Sequence, residues 1–202
     1  MEYWHNLITE KSWNVLQKIK KEFDFILIGG WAVYFYTKAL KSKDIDMIID
    51  FETLNQLRKN HSVEKNDNLK KYQIIIDEID IDIYVKNYSK LTLPIEEIEK
   101  HTSLIEGFKL VKLEVLLILK QTAEINRGNS EKGQKDKIDI INLLINSDID
   151  FNFYKEILKK YNLQDYKTEL INLIKNFNLL DKINLNVKQY KAIKLKLLKE
   201  LK

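Results

Sequence analysis

The chain has 202 residues, carries a formal net charge of +4 and contains no cysteine. This length is enough for one buried core with or without an appended region, and the absence of cysteine excludes a disulfide framework and a cysteine-based zinc site. No apolar run is long enough to cross a membrane, so we expect a cytoplasmic protein with no membrane partner.

Positive charge is concentrated in the last quarter of the chain. Residues 151–202 contain 12 lysines and 5 acidic residues, a net charge of +7, so residues 1–150 carry −3. A basic region joined to a slightly acidic one is consistent with a polyanionic partner. A lysine-rich helical face exposed to solvent explains the same composition without any partner.

The chain begins with an amphipathic helix, a short buried strand and a pair of glycines. Apolar residues recur at helical spacing over 2–23, and Phe25–Ile28 is a continuous apolar run that predicts a buried strand. Gly29 and Gly30 then predict a sharp turn where the backbone can approach a ligand closely. A helix is predicted over Trp31–Leu40, and its N-terminal amides would offer a site for a phosphate above the glycines.

Two aspartates follow on the next predicted strand. Asp44 and Asp46 flank Ile45, and strand alternation directs both carboxylates to one face and Ile45 into the core. Carboxylates at this spacing suit Mg²⁺, which proteins bind through one or two acids together with substrate phosphates. Alone, a glycine pair is a common turn and Asp-x-Asp a common exposed strand face, but their order and spacing favour a functional site.

The apolar strand, the glycine pair, the intervening Trp31–Lys43 and Asp-x-Asp together resemble the signature of the polymerase-β-like nucleotidyltransferase superfamily. This resemblance implies transfer of a nucleoside monophosphate from an NTP to a hydroxyl, with release of pyrophosphate. Asp44 and Asp46 would hold two Mg²⁺ ions. The residues implied to approach the triphosphate are Gly29, Gly30 and Ser42.

The same chemistry requires a third carboxylate, which the resemblance places on a later strand. Tyr72–Asp77 and Ile79–Val85 predict a hairpin, and strict alternation in its second strand puts Asp80 and Asp82 on one face. We choose Asp82 as the third metal-binding and catalytic acid because it precedes an apolar run, as Asp46 does. Asp80 is the alternative, and a charged edge strand explains both acids without any site.

The remaining segments up to residue 111 complete the predicted sheet region. A short helix is expected over Phe51–Arg58, and the polar run 59–71 lacks apolar periodicity and predicts an exposed, mobile loop. Pro94 should open a helix that ends near Lys100. A second hairpin at the sheet edge is predicted over 103–111.

A buried helix with a central lysine is predicted next. Leu113–Arg127 is apolar nearly all round, and Lys120 within it must reach either a charge or solvent. Glycines over 128–133 break the helix, and a further helix is predicted over 135–146. Asp136 lies near the start of that helix, where acids are also favoured for purely electrostatic reasons.

The order of Lys120, Arg127 and Lys-Asp-x-x-Asp over 135–139 resembles the abortive-infection, type IV toxin-like branch of the superfamily. The resemblance implies that Lys120 contacts nucleotide phosphates and that Asp136 and Asp139 complete the site. It also puts a cognate antitoxin among the candidate partners. The chain departs from relatives that carry arginine and threonine before the first acid, since Leu40 and Ser42 stand there.

We therefore predict an α/β fold, with a small mixed twisted sheet and packed helices in a nucleotidyltransferase-like domain at 1–147. A basic, all-helical region at 148–202 would follow and would contact an RNA acceptor such as tRNA. A protein or a small molecule is the alternative acceptor. The missing arginine motivates a different hypothesis, a catalytically inactive module that binds a nucleotide or a partner, and a purely structural protein is the third.

Overall fold

The computed structural model describes residues 2–201, with side chains from residue 6 onward. Met1 and Lys202, the outer ends of the two predicted regions, lie outside the described residues. The chain forms two compact units, a sheet unit (Met1–Lys112) and a helical unit (Leu113–Lys202). The two units divide at residue 112, so residues 113–147 belong to the same unit as the later helices. The domain boundary predicted after residue 147 stays a prediction.

The sheet unit is built on a seven-stranded mixed sheet in the order β3-β4-β5-β2-β1-β7-β6. Two pairs are parallel, β1 with β7 and β2 with β5, and the others are antiparallel. The strands are β1 (Ile26–Ile28), β2 (Ile45–Ile49), β3 (Glu64–Asn66), β4 (Lys71–Ile76), β5 (Ile79–Val85), β6 (Thr102–Ile105) and β7 (Phe108–Val111). The helices are α1 (Glu2–Glu22), α2 (Gly29–Thr37), α3 (Phe51–Asn60) and α4 (Ile95–Lys100).

Alternating strands and one apolar helix build the core of this unit. Ile45 and Met47 on β2 and Ile81 and Ile83 on β5 are fully buried, as the period-2 pattern predicted. Trp31 on α2 is also fully buried, and its indole Nε1 donates to Ser12 Oγ of α1 at 2.9 Å. The buried polar atom of the tryptophan is thereby satisfied.

Two local predictions in this unit are wrong. The polar run 59–71 is not one loop, because α3 continues to Asn60 and Glu64–Asn66 form the edge strand β3. Pairing with β4, not an apolar period, creates this strand. Helix α2 ends at Thr37 and not at Leu40, because Lys38 takes a left-handed conformation with φ 55°.

The helical unit contains no strand over residues 113–201. Its elements are α5 (Leu113–Arg127), α6 (Glu131–Asn146), α7 (Phe151–Lys160), α8 (Asp165–Asn176), a 3-10 helix (Leu180–Ile183) and α9 (Val187–Glu200). The predicted fold class is thus confirmed: an α/β part with a mixed sheet and packed helices, and an all-helical C-terminal part. Among the described helices, none is long and apolar enough for a membrane span.

Helix α6 begins earlier than its sequence suggests. Ser130 is the N-cap, and its Oγ accepts from the Gly133 amide at 3.1 Å, so the helix starts at Glu131 and not at Lys135. A Cβ on Gly133 would lie 2.2 Å from the Gly128 carbonyl oxygen, so glycine permits the tight turn from α5. Asp136 is therefore beyond the first turn of α6, where the helix dipole offers it little.

Candidate functional site

Two of the predicted acids are neighbours across the centre of the sheet. Strand register makes Asp82 on β5 the direct partner of Asp46 on β2, and Ile28 on β1 is the partner of Asp46 on its other side. Adjacent strands lie about 4.8 Å apart, and both aspartates are half-buried on the same face. The sheet therefore brings Asp46 and Asp82 together, although 35 residues separate them in the chain.

Gly29, the first residue of the glycine pair, lies against the Asp46 carboxylate. Gly29 has φ +67°, and a Cβ added there would lie 2.0 Å from Asp46 Oδ2. A side chain at residue 29 would thus occupy the place of this carboxylate oxygen. Ile28 stands at the N-cap of α2, and its aliphatic side chain cannot accept a hydrogen bond from the first-turn amides. The start of α2 and the Asp46 carboxylate are therefore adjacent.

The other predicted residues of the sheet unit lie on the segment that leads into β2. Asp44 is half-buried one residue before β2 begins, and Ser42 is buried. Gly30 is buried in the first turn of α2. These positions place the whole Gly-Gly and Asp-x-Asp signature around β1, α2 and β2.

Asp80 and Asp82 differ in position, although they share a face of β5. Asp80 is exposed and pairs in register with Ile75 on β4, whereas Asp82 is half-buried and pairs with Gln73. Only Asp82 is in register with Asp46 on the other side. This arrangement favours Asp82 as the third acid.

Two residues beside Asp82, Lys71 and Gln73, are not among the site residues that the sequence predicts. Lys71 Nζ donates to Asp82 Oδ2 at 2.5 Å, and Gln73 Nε2 donates to Asp82 Oδ1 at 2.8 Å. The sequence predicts a polar loop at Lys71, yet the exposure of this residue is only 9%. The hairpin turn could have revealed Gln73, because two turn residues, Asp77 and Glu78, fix the register that faces Gln73 to Asp82.

The acids fit a divalent cation in part. Asp44 and Asp46 offer the one or two carboxylates through which Mg²⁺ is usually held. Both oxygens of Asp82, however, already accept hydrogen bonds from Lys71 and Gln73. Over the part of the chain that the structure describes, no group of three His, Cys, Asp or Glu side chains is arranged to hold a metal ion.

A second charged cluster lies within the helical unit and contains the predicted Lys120 and Asp136. Lys120 Nζ donates to Asp136 Oδ1 at 3.1 Å and to Asp139 Oδ2 at 2.7 Å. Arg127 Nη1 donates to Asp136 Oδ2 at 2.8 Å. Lys120, Asp136 and Asp139 are all buried, so Lys120 reaches a charge and does not extend to solvent.

Comparison with known proteins supports the fold. A candidate nucleotidyltransferase from H. pylori superposes with a TM-score of 0.50 at 17% identity, over 93% of this chain and 90% of that one. The chain has a nucleotidyltransferase-like fold. At this identity the likeness shows the fold alone.

Further solved structures resemble this nucleotidyltransferase-like fold more distantly. JHP933 from Helicobacter pylori gives a TM-score of 0.47 at 18% identity, over 96% of this chain and 94% of that one. The Megavirus polyadenylate synthase gives 0.49 at 15% identity, over 71% of this chain and 32% of that one. The sequence matches no protein-family model and no curated protein.

Proposed function

We propose that the chain is a Mg²⁺-dependent nucleotidyltransferase, which moves a nucleoside monophosphate from an NTP to a hydroxyl. One observation carries this proposal: the Asp46 carboxylate lies against Gly29 at the start of α2 and beside Asp82 on β5. A glycine turn, a helix N-terminus and two neighbouring acids are the parts that bind a phosphate chain and a cation together.

The predicted site residues of the sheet unit would bind either the triphosphate or the cation. Gly29, Gly30 and Ser42 would approach the triphosphate, and the first-turn amides of α2 would donate to its oxygens. Asp44 and Asp46 would hold the divalent cation, which supplies neutralisation of phosphate charge when bound. These interactions act through positioning and electrostatics.

Asp82 would act as the general base that takes the proton from the acceptor hydroxyl. The acceptor hydroxyl oxygen forms a bond to the α-phosphorus, and the bond from that phosphorus to the pyrophosphate oxygen breaks. The hydroxyl proton passes to the Asp82 carboxylate, and pyrophosphate leaves with the electron pair of the broken bond. The second Mg²⁺ ion and metal ligation by Asp82 stay predictions from the family resemblance.

Lys120 and Asp136 also stay predicted nucleotide-binding residues. Lys120 already donates to two buried carboxylates. A phosphate at Lys120 would compete with Asp136 and Asp139 for the same buried ammonium.

We further propose RNA as the acceptor, with a toxin of a toxin–antitoxin pair as the biological setting. The support for RNA is the charge of the C-terminal residues and the exposure of Lys188, Lys191 and Lys199 on α9. The toxin setting stays a prediction from the family resemblance. A polyanion that binds these lysines would lose affinity with added salt. The fraction of a cell extract that becomes labelled would show whether the acceptor is a tRNA end, a protein hydroxyl or a small molecule.

Labelled NTPs, Mg²⁺ and cell extract test the transfer directly. We expect label on a macromolecule with the parent protein and none with Asp44→Ala or Asp46→Ala. Asp80→Asn is the matched control, because Asp80 is an exposed acid of the same sheet and should retain transfer. Equal labelling by the Asp46→Ala variant and the parent would refute the assigned site.

A nucleotide-binding module without turnover is the second candidate. It is favoured by the two donors that occupy both oxygens of Asp82. This candidate predicts that NTP and Mg²⁺ raise the melting temperature of the parent but that no acceptor is labelled. Asp44→Asn should abolish that shift under either candidate, because the change removes a ligand charge and little packing. An identical shift in parent and variant would exclude a metal site at Asp44.

A further inference from the structure

Asp82, the proposed third acid, forms an ion pair with the side chain of Lys71. Lys71 Nζ and Gln73 Nε2, both from β4, donate to the two oxygens of Asp82. The side-chain exposures of Lys71 and Asp82 are 11% and 18%, so the pair is largely removed from solvent. A buried ammonium without a carboxylate partner is strongly unfavourable, so Lys71 is fixed beside Asp82.

Lys65, on the neighbouring strand β3, forms a more exposed ion pair than Lys71 does. Lys65 on β3 pairs with Asp67, and the side chains of both are about half exposed. Such an exposed pair is worth little and exchanges readily with solvent and ions. Lys71 is thus distinguished from Lys65 by burial and by its acid partner, not by its position in a lysine-rich segment.

We propose that the Lys71 ammonium takes the place of a second metal ion at the third acid. This inference rests on the proposed function. The site would then hold one divalent ion, at Asp44 and Asp46, and Lys71 would supply the positive charge next to Asp82. An added divalent ion at Asp82 would be repelled by the ammonium at hydrogen-bonding distance from the same oxygen.

Lys71 would be a positioning residue. Each oxygen of a carboxylate has two acceptor sites, so the bonds from Lys71 and Gln73 leave one site on each oxygen. Asp82 can therefore still accept a hydrogen bond from an acceptor hydroxyl. The two donors from β4 would hold the carboxylate plane in place while that bond forms.

The number of ions per bound nucleotide tests this inference. Mn²⁺ bound to the full chain would be counted by equilibrium dialysis and electron paramagnetic resonance, with a saturating non-hydrolysable NTP. We expect one Mn²⁺ per bound nucleotide in the parent and in Lys65→Met. In Lys71→Met we expect a second Mn²⁺, bound about tenfold or more tightly than in the parent, because the ammonium no longer repels it.

Two further variants cover the case in which Lys71→Met does not fold. Lys71→Arg keeps a cation and should keep one Mn²⁺ per nucleotide. A double variant, Lys71→Met with Asp82→Asn, removes both charges and should also bind one, because the acid that would hold the second ion is gone. Two ions in either of these variants would overturn the inference.

The failure of this inference differs from a failure of the proposed function. Two ions in the parent, or one ion in a folded Lys71→Met variant, would overturn the role of Lys71 and leave the nucleotidyltransferase proposal intact. A parent protein that binds no NTP analogue with Mn²⁺ would overturn the proposed function and this inference with it.

Discussion

At Gly29 the candidate site leaves no room for a side chain. The Gly29 φ of +67° is unfavourable for any residue with a Cβ, and that Cβ would lie 2.0 Å from Asp46 Oδ2. Gly29→Ala should therefore displace the carboxylate and abolish the melting shift produced by NTP and Mg²⁺. The left-handed backbone alone should cost about 1–2 kcal/mol of folding free energy.

Gly128→Ala is the matched control for this change. Gly128 has φ +56°, but no atom lies within 4 Å of a Cβ placed there. The Gly128→Ala variant therefore has the unfavourable backbone conformation but no clash. The stability of this variant should fall by a similar amount, while NTP binding survives. Retained NTP binding in Gly29→Ala would show that Asp46 is not held against the nucleotide.

Asp82 and Asp80 are separated by their neighbours. Asp82→Asn should lower the transfer rate by about 10²–10⁴-fold, the usual contribution of a general base, while NTP binding largely survives. Asp80→Asn should retain most of the activity, because its register partner is Ile75 and its side chain is exposed. Single-turnover rates and NTP affinities of the two variants would decide, and the reverse result would assign the third acid to Asp80.

At the scale of elements, the α5–α6 pair depends on one buried lysine. Lys120→Met would leave Asp136 and Asp139 without the cation that donates to both. Loss of one partner from a buried ion pair typically costs about 3–5 kcal/mol, and we expect urea unfolding of this variant to show a decrease of that size.

Lys137→Met is the control on the same helix pair. Lys137 Nζ lies 3.6 Å from Glu124 Oε1, and its side chain is more exposed than that of Lys120. The change should cost less than about 1 kcal/mol. Equal losses in the two variants would contradict a central role for Lys120 in packing α5 on α6.

The contact between α8 and α9 should make stability fall at alkaline pH. Tyr190 is buried on α9 and donates to the Ile174 carbonyl oxygen at 2.9 Å, and burial raises the pKa of Tyr190 from 10.0 to about 12. The unfolded chain therefore loses this proton first as pH rises. The stabilisation is complete below pH 10 and is lost as pH rises towards 12.

Tyr190→Phe tests this pH dependence. The variant should be less stable than the parent near pH 7, because the Ile174 carbonyl loses its donor, and should lose less of its remaining stability above pH 10. Urea midpoints at pH 7 and pH 10.5 would measure both effects. A parallel decline in the two proteins would assign the alkaline loss to other groups, such as Tyr154, whose pKa burial also raises.

For the whole molecule, charge distribution gives a test of the RNA proposal. Reversal of the exposed α9 lysines, Lys188, Lys191 and Lys199, to glutamate should weaken RNA binding steeply. For single-stranded RNA, loss of three phosphate contacts should reduce the slope of log K against log salt by about 2. A matched triple reversal in the sheet unit changes the net charge equally and should leave the slope unchanged; its sites are Lys59, Lys90 and Lys109. Equal slopes in all three proteins would favour a protein or small-molecule acceptor.

Local sequence patterns determined most of the secondary structure. The strict alternation of Ile79–Val85 specified β5, and the spacing between Tyr72–Asp77 and this strand specified its hairpin with β4. The apolar run of Leu113–Arg127 specified α5 to the residue. These elements are readable because residues two, three or four positions apart determine which face of a strand or helix is buried.

The tertiary structure alone decided which charged groups meet. Parallel pairing of β2 with β5 brings Asp46 to Asp82, and helix packing gives Lys120 its partners Asp136 and Asp139. Lys71 belongs to a polar run in the sequence, and it lies beside Asp82 only because β4 pairs with β5. Periodicity reports burial along one element, whereas the partner of a charge depends on which distant elements pack against it, and no local pattern records that choice.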